Sequence, residues 1–208
     1  VITREGLNIF PVSYLDSEQK RHVIYISSRD GYPAVYDQPL YEEIKKRIKT
    51  TGKSPNMESL HFLQSGFDIF KDQIVLGVKA HRHDVLHLLD RQSGKILQTI
   101  SHDSLVTIHS PRFSKDGNQI TFTGQHYNGN SDIYLFTISS NNLVNLTNDI
   151  FTDRDPSFTD DGKTILFSSD RDNDFFNGGL DLYALNLKSN EIRLLLDDDH
   201  TKSFPNWD

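Results

Sequence analysis

Gln119-Ile-Thr-Phe-Thr123 alternates apolar and polar residues at a period of two. Asp132-Ile-Tyr-Leu-Phe-Thr-Ile138 sets Tyr134 and Phe136 on one face and Ile133 and Leu135 on the other. Period two predicts strands, and apolar residues on both faces predict strands covered on both sides by neighbouring sheets. Asp116-Gly117 marks a hairpin before the first of these strands. Ser139-Ser-Asn-Asn142 is a turn cluster, and Leu143–Thr147 reads as one more short strand. The unit is therefore strand, Asp-Gly turn, strand, polar loop, strand, turn, strand.

This unit recurs. Pro111-Arg-Phe-Ser-Lys-Asp-Gly117 returns as Pro156-Ser-Phe-Thr-Asp-Asp-Gly162, 45 residues on, and Pro205-Asn-Trp207 opens another copy 49 residues later. Ser131-Asp-Ile-Tyr-Leu135 returns as Leu180-Asp-Leu-Tyr-Ala184. Four antiparallel strands per repeat of this length predict an all-β fold, a β-propeller built from four-stranded blades. Blades are expected near 8–52, 60–101, 109–148 and 153–197, with 203–208 starting a further one. The stretch Tyr41–Lys49 is ambiguous: Ile44 and Ile48 have helical spacing, but the repeat register asks for an outer strand, which tolerates charge. We read it as strand.

Composition narrows the function. Hydrophobic residues make up 36% of the 208, low for a compact domain, but 11% aromatics supply core material, so the chain is expected to fold. A formal charge of −7 argues against nucleic acid as partner, since phosphate binding needs a basic surface. Without cysteine there are no disulfides or thiolate metal sites. No apolar run approaches the roughly 20 residues of a membrane span, so direct membrane insertion is not expected. The sequence starts without Met and ends inside a repeat, and reads as a piece of a longer protein with additional blades or domains.

Most of the repeated phrase reads as structural. Gly117 and Gly162 supply positive φ in hairpins, Phe113, Phe122, Phe158 and Phe167 fill space between blades, and Asp132 and Asp181 accept hydrogen bonds from loop amides. The connectors between an outer strand and the next inner strand are better candidates for binding, because they lie on a propeller's ring face. They offer Asp103, His109, Asp153, Arg154, Asp155, His200 and Lys202. Asp170, Asp172, Asp174 and Asp181 have the spacing of a calcium loop, with hard oxygens at positions one, three, five and twelve. Phe175 stands where such a loop needs Gly, so a solvated acidic loop is the plainer reading of this candidate Ca2+ site. His81, His83 and His87 are donors suited to zinc, but a predicted turn breaks their alignment and a polar loop is favoured. The Asn145-Leu-Thr147 sequon falls in a strand and is set aside. No Gly-x-Ser-x-Gly, His-Glu-x-x-His, P-loop or Gly-x-Gly-x-x-Gly is present, so no catalytic residue is put forward.

The phrases together resemble the repeats of TolB-like β-propellers, also called PD40 or WD40-like repeats. Pro111–Gly117, Ile120-Thr-Phe122 and Asp132-Ile-Tyr134 match one copy. Pro156–Gly162, Ile165-Leu-Phe167, Asp170-Arg-Asp172 and Asp181-Leu-Tyr183 match a second, and Ser27-Ser-Arg-Asp-Gly31 is a partial copy. Lys115 and Asp160 replace the family's second proline, and Phe113 and Phe158 its tryptophan. The resemblance implies a six-bladed ring of which about four blades are present. It also implies a non-catalytic scaffold in the bacterial periplasm or cell envelope, binding a protein or peptide partner. The alternative it offers is an accessory propeller that gates substrate in a larger peptidase or hydrolase.

Overall fold

The computed structural model describes residues 6–42, 46–50, 56–60, 66–81, 83–171 and 179–196. These residues form only strands, turns and loops, in two compact units, Val1–Ile100 and Ser101–Asp208.

The first unit holds two sheets. One orders β1 (Asn8–Leu15), β2 (Arg21–Ser27), β3 (Ala34–Pro39) and β4 (Lys46–Thr50) as a simple antiparallel meander. Of the charged segment 41–49 read as a strand, 46–49 fall in β4, Tyr41 and Glu42 form a turn, and 43–45 lie outside the described residues. The other contains β5 (Ser59–Leu60), β6 (Phe67–Phe70), β7 (Gln73–Ala80), β8 (His83–Asp90) and β9 (Ile96–Ile100). Here β5 and β6 both pair with β7, at its two ends, so this sheet has five strands where four were expected. Ile24, Ile26 and Val35 from the first sheet share one core with Ile74, Leu76, Val78 and Leu89 from the second. Each such side chain contributes about 1.5–3 kcal/mol when fully buried.

A polar clamp joins these two sheets. The Tyr14 hydroxyl donates to Asp37 Oδ2 (2.7 Å), and His22 Nδ1 lies 2.9 Å from Asp37 Oδ1. From the β8–β9 turn, Arg91 Nη1 reaches Asp37 (3.4 Å), Nη2 donates to Asp72 (2.6 Å), and the guanidinium covers the Tyr14 ring. Burial raises the Tyr14 phenol's pKa, and the Asp37 bond adds to that because it favours the protonated form.

The second unit repeats one plan twice: β10 (Leu105–Phe113), β11 (Gln119–His126), β12 (Ser131–Thr137) and β13 (Asn142–Asn145), then β14 (Asp153–Phe158), β15 (Thr164–Ser169), β16 (Asp181–Asn186) and β17 (Ile192–Leu196). Ile133 of β12 packs into a core with Phe158, Ile165, Phe167, Tyr183 and Leu185 of the following sheet. The period-two pattern explains this: alternate residues of each central strand face opposite neighbours.

Each full first strand carries a bulge that sequence reading missed. Phe10, Ser110 and Asp155 have φ of 52°, 54° and 54°, and the register slips there in β1, β10 and β14. Each precedes a proline: Pro11, Pro111 and Pro156. Proline has no N–H to give a ladder, and a bulge is where a strand can hold one. In the second unit the bulges also meet. Ser110 Oγ donates to Asp155 Oδ1 (2.7 Å), joining like positions one repeat apart, and the Asp155 amide donates to Thr123 Oγ1 (3.0 Å).

Candidate functional site

The end of the second unit where connectors enter the first strands is organised around Arg171. This residue follows β15, and its Nε donates to Ser169 Oγ at 3.0 Å. Its Nη2 lies 2.9 Å from both oxygens of Asp153 and 3.2 Å from Asp149 Oδ2. The guanidinium stacks 5.3–5.4 Å from the ring centres of Phe151, Phe167 and Tyr183. Arginine suits this place because a flat, weakly hydrated cation can stack and bridge carboxylates together. Asp153 is fully buried, and burial pushes its carboxyl pKa up, while the Ser169 bond and the Arg171 charge pull it back.

Beside this pair, Asp132 opens β12. It accepts hydrogen bonds from Asn145 Nδ2 (2.7 Å), Thr147 Oγ1 (3.3 Å) and the Asp149 amide (3.4 Å), and pairs with His126 Nε2 at 2.9 Å. These bonds pin the connector between the two sheets. They also commit the Asn145 side chain, whose Oδ1 caps the Thr147 and Asn148 amides, so the sequon serves as a turn. Carboxylate oxygens of Asp132, Asp149 and Asp153 lie within 4.8 Å of one another, a spacing that can hold a cation. The cation already there is Arg171, which engages two of the three. The cluster therefore works as an internal brace.

The same brace recurs where an aromatic residue stands four positions earlier. In the first unit Arg29 bonds Ser27 Oγ (3.2 Å), Asn8 Oδ1 (3.1 Å) and Tyr25 OH (2.8 Å), and stacks on Tyr25 and Tyr36. After Phe122 the position is His126, bonded to Asp132 and facing the Tyr134 ring. Sequence reading overlooked this role, although the signal was present: Ser-x-Arg-Asp at 27–30 and again at 169–172.

The binding candidates separate accordingly. Asp153 and Asp155 are buried and bonded within the fold, to Arg171 and Ser110. Asp103 and Arg154 are exposed, and His109 is half-buried with Nδ1 3.2 Å from Ser110 Oγ. His200 and Lys202 lie outside the described residues. Of the calcium candidates, Asp172 and Asp174 also lie outside them. Asp170 accepts from the Thr152 amide (2.7 Å), and Asp181 is buried at the start of β16. In the first unit His81 and His87 both reach Asn56, at its side-chain and main-chain oxygens respectively, each at 2.6 Å. His87 Nδ1 also lies 3.0 Å from Thr99 Oγ1, so the imidazole serves the core.

The braced end presents apolar side chains. The hairpin 126–130 closes by His126 N–Asn130 O (2.8 Å) and leaves Tyr127 at its tip, 73% exposed. Ile150, in the pinned connector, is 78% exposed. At the opposite end, a cleft of about 330 Å3 lies between the Asp-Gly turns, spanned by a 3.0 Å bond from Lys115 to Asp160.

Among known proteins, residues 80–208 match the TolB beta propeller domain family, PD40. The chain is similar to the uncharacterized peptidase YuxL of Bacillus subtilis, with 25% identity over 118 residues, covering 54% of this chain and 17% of that protein. The fold resembles TolB from Acinetobacter baumannii (TM-score 0.68, 16% identity, 94% of this chain and 45% of that one). It also resembles a puromycin hydrolase (TM-score 0.67, 11% identity, 95% of this chain and 32% of that one). The chain thus spans less than half the length of each of these relatives.

Proposed function

We propose, from the premise that this chain belongs to the TolB β-propeller (PD40) family, that it is a non-catalytic binding module whose connector loops receive a protein or peptide partner. The observation that carries this reading is the braced connector of the second unit. A guanidinium–carboxylate cluster centred on the buried Asp153 holds loop 146–152 in place, while Tyr127 and Ile150 stand out from it. Loops fixed by a rigid scaffold, with aromatic and aliphatic side chains presented to solvent, suit recognition. We place the module in the bacterial cell envelope, on the TolB likeness. Among the described residues no helix is long and apolar enough to cross a membrane. Fractionation of cells making the full-length parent protein tests the location, and recovery from the cytoplasm alone refutes it. Cross-linking from a photoreactive residue at position 150 tests the binding face; a partner captured only from the Asp-Gly turn end refutes it.

A second reading has its own support. YuxL is described as a peptidase and the puromycin hydrolase shares the fold, so the chain is equally suited to be the accessory propeller of a larger hydrolase. The parent reading frame decides: a downstream Gly-x-Ser-x-Gly selects the hydrolase.

A further inference from the structure

The charges of the second unit are distributed unevenly between its ends. Among the described residues, the connector end carries Asp103, Asp132, Asp149, Asp153, Asp155, Asp170 and Asp181 against Arg154 and Arg171. At the Asp-Gly turn end, Arg112, Lys115, Lys163, Lys188 and Arg193 slightly outnumber Asp116, Asp160, Asp161 and Glu191. Arg171 is consumed by the brace with Asp149 and Asp153, so the remaining solvent-facing carboxylates, Asp103 and Asp170, face a surplus of their own sign.

The two most exposed apolar side chains at this end stand on segments that both adjoin the start of β12. Tyr127 tips the hairpin that leads into β12, and Ile150 lies in the connector tied to the first residues of β12 through Asp149–Asp132 and the Ser131–Thr152 bridge. Asp103 precedes Leu105, which pairs across with His126 at the base of that hairpin. Two apolar anchors within an acidic field define a complementary ligand: cationic, with its own apolar side chains.

We propose that the connector end of the second unit docks a cationic peptide segment carrying apolar anchor residues. The proposal rests on the binding-module reading and specifies the partner's chemistry. The Tyr127 and Ile150 side chains supply contact area, and Asp103 and Asp170 supply attraction and select against acidic segments. The cluster of Asp132, Asp149 and Asp153 around Arg171 positions the loop from beneath.

The test is fluorescence anisotropy of the purified chain with three fluorescein-labelled hexapeptides, alternating Lys with Leu, Glu with Leu, and Lys with Ser. The Lys/Leu peptide is expected to bind at least about tenfold more tightly than either of the others, and to weaken as salt rises. The double variant Tyr127→Ser, Ile150→Ser should reduce its affinity by about tenfold or more. Both side chains are exposed, so an unchanged far-UV spectrum will verify the fold. Equal binding of the Glu/Leu peptide, still lost in the double variant, overturns the charge argument and leaves the binding face standing. Lys/Leu binding indifferent to the double variant overturns the face itself. Lys/Ser binding as tight as Lys/Leu, or no binding of any peptide, overturns the proposal.

Discussion

Replacing Arg171 by alanine should be among the most damaging single changes in the second unit. The substitution removes three contacts to Asp149 and Asp153 and leaves the Asp153 carboxylate, with no exposed surface, without its cation. Breaking a buried pair from one side costs about 3–5 kcal/mol. For a urea dependence of about 2 kcal/mol per molar, the midpoint of that unit's transition falls by roughly 2 M. The assay is urea unfolding by circular dichroism, with amide hydrogen exchange on β15 assigning the loss to its unit. Adding Asp153→Asn to Arg171→Ala should restore part of the loss, because the stranded charge is removed. If Arg171→Ala costs less than about 1 kcal/mol, as an exposed pair would, or if Asp153→Asn adds its full cost on top, the brace is not held by a buried ion pair.

Other consequences are more local. Gly94 sits at φ +67° with the Ile48 carbonyl oxygen directly in the space a Cβ would occupy, whereas Gly162, at φ +65°, faces open space. Gly94→Ala should therefore destabilise its unit well beyond the roughly 1–2 kcal/mol of left-handed strain expected for Gly162→Ala, as thermal melts of both variants will show. Ser110→Ala should cost about 1–3 kcal/mol by stranding the buried Asp155 carboxylate, measured by urea titration. The carboxyls of Asp16, Asp90, Asp116 and Asp161 are held below their usual pKa, chiefly by bonds from Lys20 N, Ser93 Oγ, Ser114 Oγ and Lys163 N. A lowered carboxyl contributes stability that is full above its unfolded pKa of about 3.9 and is lost as pH falls through the folded value. Stability should accordingly drop below about pH 4. It should also drop at high pH, since the Tyr36 phenol is pushed up to about 12 by burial and must ionise against that shift. Urea midpoints measured from pH 2 to 11 check both limbs; a flat acid limb would refute the turn argument.

The strands and their order were legible because two signals agreed: period-two alternation within each segment and the Asp-Gly and Asp-x-Tyr phrases between segments. The extra pairing of β5 was not, since two residues carry no periodicity. The bulges were hidden because a proline in a strand looks like a strand end. It was in fact the sign of an irregular position inside one. The candidate site divided for a reason that composition cannot show. Asp153 and Asp103 are the same residue type in equivalent connectors, yet Asp153 meets Arg171 in the fold and Asp103 meets water. Tyr127 and Ile150 drew no notice because isolated apolar residues in loops have no pattern.

The bulge before Pro11, Pro111 and Pro156 also divides β1, β10 and β14 into two stretches that need not change together. On the turn side, Phe113 and Phe158 belong to the core and can vary little. On the connector side, His109 and Arg154 precede the irregular residue, and the extra position absorbs any conflict of parity between the two stretches. A repeat built this way can exchange the residues it shows to solvent, even their number, without moving the register that holds its hydrophobic half. Successive copies can diverge at one end while remaining interchangeable at the other.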